Sequence, residues 1–135
     1  MVGVQDGDTI TVLDSSNANH RIRLLGIDAP EKDQAFGTKS GQNLSQSVFN
    51  KVVRIEWSKH DRYGRIVGKV MLSSQDVCLE QIRAGMAWHY KYYQGDQTPD
   101  DGQLYADAEI AARANRDGLW IDPDPIPPWD FRHRR

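Results

Sequence analysis

Apolar and polar positions alternate over residues 2–13, with Val4, Ile10 and Val12 in phase and β-branched residues frequent, which predicts strand. The cluster Ser15-Ser16-Asn17-Ala18-Asn19 predicts a turn. The alternation resumes over 20–27, with Ile22 and Leu24 facing one way and Arg21, Arg23 and Leu25 the other. Gly26 and then Asp28-Ala29-Pro30-Glu31 end that strand, because proline removes a ladder donor and keeps Ala29 extended. Over 38–50 the period lengthens: Leu44 and Val48 are four apart, which predicts a helix with Thr38 or Ser40 as its cap. Residues 51–58 return to strand through Val53, Ile55 and Trp57. Arg62-Tyr63-Gly64-Arg65 is a tight turn, and 66–72 is another strand. A short helix is predicted over 77–83, stopped by Gly85. A longer one covers 101–116, with Leu104, Ala108, Ala111 and Asn115 along one face and Gly118 past its end. The proline-laden stretch 122–128 reads as an extended surface run leading to the basic end Arg132-His133-Arg134-Arg135.

Several short strands with interspersed helices predict a small β-barrel of the OB type, five-stranded, with three α-helices: an α+β chain. There is no internal repeat and no linker between two cores. The expected organisation is one domain over 1–121 followed by a Pro-rich, basic tail over 122–135. The 135 residues suit a single core, and 39% hydrophobic with 27% charged residues is ordinary for a globular chain. Apolar runs such as Val52-Val53 and Ile66-Val67 fall far short of the roughly 20 residues of a membrane span, so no membrane partner is expected. The chain enters a strand pattern at residue 2, so a trimmed or mature form is expected. Its location would be secreted or periplasmic if a signal has been removed, and cytoplasmic otherwise.

Chemistry narrows the picture further. Cys78, the single cysteine, lies in the apolar Val77-Cys78-Leu79 and reads as a small buried hydrophobe. His20, His60, His89 and His133 lack zinc spacing. The formal charge of −2 argues mildly against a general nucleic-acid binder, so any phosphate recognition must be local. Four segments could supply it. Asp6-Gly7-Asp8-Thr9 is a turn signal carrying two carboxylates, and it does not follow the EF-hand pattern. Asp28-Ala29-Pro30-Glu31 sets two more carboxylates beside a rigid backbone, the oxygen donors a hard cation takes. Arg23 and the arginines of Arg62-Tyr63-Gly64-Arg65 offer planar forks for phosphate oxygens. Taken singly, each reads as well as an ordinary turn or a solvated strand residue. Phosphodiester hydrolysis needs all of them at once: a metal, an attacking water, a proton acceptor, and cations around phosphorus.

In order along the chain, Asp6-Gly7-Asp8-Thr9, Arg23-Leu24-Leu25-Gly26-Ile27-Asp28-Ala29-Pro30-Glu31, Phe36-Gly37, Asp61-Arg62-Tyr63-Gly64-Arg65, Gly85-Met86-Ala87-Trp88 and Gly118-Leu119-Trp120 resemble the thermonuclease, or staphylococcal nuclease-like, family. Each match alone is weak; the ordered set is specific and covers most of the chain up to Trp120. The resemblance implies an OB-type barrel with three helices and a calcium-dependent nuclease cutting DNA and RNA to 3′-phosphate and 5′-hydroxyl ends. It implies that Asp8, Asp28 and the backbone carbonyl of Ala29 bind Ca2+, with Asp6 in the outer shell. It gives Glu31 the role of positioning or deprotonating the attacking water, and Arg23 and Arg65 the role of binding phosphate. Arg62 and Tyr63 are expected at the substrate, Tyr63 near a terminal phosphate. Of the candidates Tyr90, Tyr92 and Tyr93 for nucleotide stacking, ungapped counting from Gly85 favours Tyr93. The loop Lys32-Asp33-Gln34-Ala35 is short and not lysine-rich, and the chain is mildly acidic, which together imply modest general affinity for polyanions.

The expected partners are DNA and RNA, single strands preferred, with no obligate protein partner and a monomeric state. Two other readings stand beside the enzyme. A non-catalytic OB-type domain binding single-stranded nucleic acid would gain nothing from Asp8, Asp28 and Glu31 facing phosphate. A structural calcium-binding domain would leave Arg23 and Arg65 without a role.

Overall fold

The structure, a computed structural model, describes residues 2–133, apart from the side chains of Val2, Ser58, Tyr92, Tyr93 and Gln94. The alternating run over 2–13 is not one strand. It folds into a hairpin of β1 (Val2–Asp6) and β2 (Thr9–Leu13), paired Val4 to Ile10, with Gly7-Asp8 at the turn. Asp-Gly overrides the alternation because the chain must reverse there. The backbone also passes so close to the first helix that a Cβ on Gly7 would lie 1.8 Å from Ser40 Oγ.

β2 pairs antiparallel with β3 (Asn19–Leu24), which lies parallel to β6 (Ile66–Leu72). β6 pairs antiparallel with β5 (Arg54–His60) and carries the short β7 (Gln75–Asp76) at its end. The order β1-β2-β3-β6-β5 makes a curled, mixed half-barrel of the OB type, as expected. The second predicted strand is interrupted at Gly26, whose φ of 82° turns the chain. Its last residues form β4 (Ile27–Asp28), which leaves the main sheet to pair with β8 (Trp88–His89).

Ile10, Ile22, Leu24 and Val70 of the sheet meet Leu44 and Val48 of α1 (Gly37–Val48) and Ile82 of α2 (Val77–Arg83) in one core, all at most 1% exposed. Burial of each contributes roughly 1.5–3 kcal/mol. The helix α1 starts at Phe36 in a left-handed conformation with no side-chain cap. The expected cap Ser40 lies inside the helix instead and donates to the Met86 carbonyl at 2.6 Å. α2 has the predicted bounds, and Asp76 caps it by accepting from Leu79 N. Cys78 is fully buried, with its thiol pushed up to about 12 by that burial and by Asp76, so it is inert.

The helix α3 (Pro99–Asn115) is capped by Thr98, which accepts from Asp101 N. Its inward face is Gly102, Tyr105, Glu109 and Ala112, whereas the predicted face is exposed at Leu104, Ala111 and Asn115. The inversion has a physical cause in Glu109. This buried carboxylate accepts from His89 N at 2.6 Å and meets Lys91 and Arg113, so a charged residue holds a core position.

Among the described residues a fourth helix follows the run over 122–128 that was expected to be extended, and overlaps it only at Pro128. Pro128 is not a breaker but the first residue of α4 (Pro128–His133), where a missing N–H costs nothing. Within the described residues, no helix is long and apolar enough to cross a membrane.

Candidate active site

The barrel mouth opens into a cleft of about 1480 Å3. The β1–β2 turn brings Asp6 and Asp8 to its floor, the end of β3 brings Arg23, and β4 with the loop after it brings Asp28, Ala29 and Glu31. The β5–β6 hairpin forms the opposite wall with Arg62, Tyr63 and Arg65.

The floor is a buried charge network. Arg23, only 7% exposed and therefore not a solvated strand residue, places Nη2 3.6 Å from Asp8 Oδ2 and 3.5 Å from Asp28 Oδ1. Its Nη1 donates to the Leu24 carbonyl at 2.8 Å, which fixes the guanidinium plane. Asp8 accepts from Ala29 N at 2.8 Å and from the Thr9 hydroxyl at 3.1 Å, tying the first turn to the loop after β4. Asp6 in turn accepts from Asp8 N at 3.0 Å. Gln81 anchors the turn from below. Its amide donates to the Gly7 carbonyl at 2.8 Å and to the Ser40 carbonyl at 3.2 Å.

These carboxyls do not share one protonation behaviour. Burial, then the charge of Asp8, pushes Asp6 up to about 7. Burial also raises Asp28 to about 6, against the pull of Arg132 and Arg23. For Asp8 burial acts the same way, but Arg23 and the hydrogen bonds from Ala29 and Thr9 hold it below the usual carboxylate value. The floor thus carries more negative charge than Arg23 alone compensates.

The wall is organised locally. Asp61 accepts from Tyr63 N and Arg65 N, both at 2.9 Å, and from Arg65 Nε at 2.7 Å. Arg65 Nη1 lies 3.5 Å from the Thr9 hydroxyl, so this arginine reaches the floor beside Asp8. Arg62 and Arg65 both sit against the Tyr63 ring, at 5.0 and 5.5 Å from its centroid.

Three residues of the tail, Trp129, Arg132 and His133, line the cleft, and sequence reasoning placed none of them there. Trp129 of α4 stacks on Tyr90 and meets Trp88 edge-on. Arg132 donates to Asp28 Oδ2 at 2.8 Å, to Asp28 Oδ1 at 3.0 Å and to Glu31 Oε1 at 2.9 Å. The available signal was Pro127-Pro128-Trp129-Asp130-Phe131-Arg132, a proline-started turn of helix carrying aromatic residues and a cation. Asp61, quoted in the pattern but given no role, proves to be the group that orients Arg65.

A model of the family described as "Staphylococcal nuclease homologue" matches residues 21–122. The chain belongs to that family. An "Uncharacterized endonuclease" of Escherichia coli is 43% identical over 136 residues, covering all of this chain and 84% of the relative. One of the same description in Haemophilus influenzae is 42% identical, covering 99% of this chain and 72% of the relative. The "Micrococcal nuclease" of Shigella flexneri is 39% identical, covering 98% of this chain and 78% of its own length. Membership of the staphylococcal nuclease family supports a hydrolase acting on nucleic acid as a nuclease.

Asp6, Asp8, Arg23, Asp28, Ala29, Glu31, Arg62, Tyr63 and Arg65 all line this one cleft. Tyr90, one of the three tyrosine candidates, lines it as well, while the side chain of Tyr93 lies outside the described residues. Among the described residues, no three Asp, Glu, His or Cys side chains are disposed to hold a metal ion as they stand. The donor chemistry nevertheless fits a hard cation. The cleft is lined by the carboxylates of Asp6, Asp8, Asp28 and Glu31, oxygen donors of the kind a hard cation takes, and burial, the main cause of the raised Asp6 and Asp28 values, is a cost that a divalent charge would offset.

Proposed function

We propose that the chain is a calcium-dependent nuclease hydrolysing phosphodiester bonds of DNA and RNA, single strands preferred, to 3′-phosphate and 5′-hydroxyl ends. The observation that carries this reading is the meeting of Asp8 and Asp28 on one guanidinium, that of Arg23, with Glu31 and Arg65 facing the same cleft. Asp8, Asp28 and the Ala29 carbonyl would hold Ca2+, with Asp6 in the outer shell. When bound, the ion supplies Lewis-acid polarisation of a phosphate oxygen.

The chain's own residues account for the rest. Glu31 accepts a hydrogen bond from the attacking water, orients it, and takes its proton as the oxygen–phosphorus bond forms. Arg23 and Arg65 donate to the phosphate oxygens, where negative charge grows at pentacoordinate phosphorus. The bond to the 5′-oxygen then breaks; that oxygen leaves as an alkoxide whose charge Arg65 offsets by hydrogen bonding, and it takes its proton from solvent water. Arg62 and Tyr63, and one of the tyrosines 90–93, bound the nucleotide. Residues 1–121 form the nuclease unit, with 122–135 as its tail, of which Trp129, Arg132 and His133 line the cleft, and the protein works as a monomer.

Incubation of single-stranded DNA and of RNA with the protein tests this, with calcium or with a chelator. Cleavage that requires calcium and leaves 3′-phosphate ends is expected. A protein that binds the strand and leaves it intact in calcium would be the non-catalytic OB-type domain instead.

A further inference from the structure

Asp28 is fully buried, and both its oxygens are engaged: Oδ2 by Arg132 Nη2, and Oδ1 by Arg132 Nη1 with Arg23 behind it. Arg23 is packed inside the barrel, but the Arg132 side chain is 38% exposed and comes from the far end of the chain. Its fork also takes Glu31 Oε1. One guanidinium therefore occupies the metal-ligand candidate and the candidate water-activating group together, as a planar cation well matched to carboxylates.

The placement is built rather than incidental. Gln34 donates to the Ile126 carbonyl at 2.6 Å and accepts from Glu31 N at 3.1 Å, so the tail and the Glu31 loop share one anchor. Trp129 is stacked on Tyr90 at a 20° interplanar angle with centroids 5.4 Å apart, which fixes the helix three residues before Arg132.

We propose that Arg132 is an internal counter-cation of this site, holding Asp28 and Glu31 in the metal-free protein and leaving them when a divalent ion binds, so that it sets the metal threshold. The inference rests on the calcium reading above. Competition of this kind follows from charge: two cations cannot use the same Asp28 oxygens, so the free energy of the Arg132 contacts is subtracted from that of metal binding. It also ties metal binding to the tail, because release of Asp28 frees the end of α4.

Calorimetric titration of the full chain with calcium chloride, without nucleic acid, tests it on the parental protein and on Arg132→Gln. The expected result is a calcium Kd lower by about tenfold in Arg132→Gln, the factor carried by one charge-assisted hydrogen bond. Arg132→Lys, which keeps charge but loses the fork, should fall between them. Thermal melting confirms that each variant is folded. In parallel, calcium should change the tryptophan emission of the parental protein, and Trp129→Phe should remove most of that change. An unchanged or higher Kd in Arg132→Gln overturns the proposal and makes Arg132 a bystander or a supporting group. Calcium-dependent cleavage with an unchanged Kd would sink this proposal alone. Absence of calcium binding in both proteins would sink the calcium reading and this one with it.

Discussion

The two sides of the cleft are built on opposite plans. On the floor, Asp8 and Asp28 are buried; the Ala29 amide and Arg23 tie Asp8, and Arg23 and Arg132 tie Asp28, across separations of up to 104 residues. On the wall, Arg65 is held by Asp61 four residues away, and Tyr63 is 67% exposed. The floor concentrates charge where burial makes it costly, so its groups shift protonation and call for a counter-cation. The wall presents cations and a ring to solvent, where a substrate can meet them with little rearrangement. This division would suit the proposed site, which would hold a divalent ion and receive a polyanion.

Substitutions on the two sides should separate these plans. The largest effect is expected on the floor: Glu31→Gln should slow cleavage of single-stranded DNA in calcium by about 10² or more, the scale of losing a proton acceptor. Steady-state rates on a labelled oligonucleotide measure it, and parental rates would remove Glu31 from the chemistry.

On the wall, Arg65→Ala should cost about 10² in kcat, as for other groups that stabilise developing charge. Asp61→Asn should cost less, about tenfold, because Arg65 keeps its charge but loses its strongest orienting partner. Equal losses in the two variants would mean that Asp61 does more than orient.

The pH response should belong to the floor. Asp6 and Asp28 have folded values raised to about 7 and about 6 from 3.8. The metal-free fold therefore binds more protons than the unfolded chain between these values. Stability from these groups is fully present below about pH 4 and is lost as pH rises to about 7. Asp8, held below its ordinary value, contributes in the opposite sense above about pH 4. Thermal melting of metal-free protein at pH 5 and pH 7.5 should show this loss, and Asp6→Asn should flatten it. An identical slope in Asp6→Asn would contradict the raised Asp6 value.

The smallest effect belongs to the exposed ring: Tyr63→Ala should raise KM severalfold with kcat nearly unchanged, as expected for about 1 kcal/mol of uniform binding.

The same contrast explains what the sequence disclosed. The wall is local, and Asp61-Arg62-Tyr63-Gly64-Arg65 could be read from the chain because turn, cap and cations lie within five residues. The floor was legible in its parts, since the Asp-Gly turn and the Pro30 exit are local signals. Its assembly depends on the β2–β3 and β4–β8 pairings, which spacing alone does not give. The stripe of α3 was misread because Glu109 occupies a core position through long-range bonds to His89 and Lys91. Arg132 escaped notice because its partners lie 101 and 104 residues away, and because proline at 128 reads as a breaker unless it opens a helix.

The most direct measurement is calorimetric titration of calcium into Asp28→Asn beside the parental chain, at pH 7.5 where Asp28 is ionised. The account predicts one calcium site in the parental protein and its loss, or a Kd weaker by at least about 10², in the variant, as expected when a charged ligand is removed from a metal site. Parental affinity retained by Asp28→Asn would show that the carboxylates on the cleft floor are not where the metal binds.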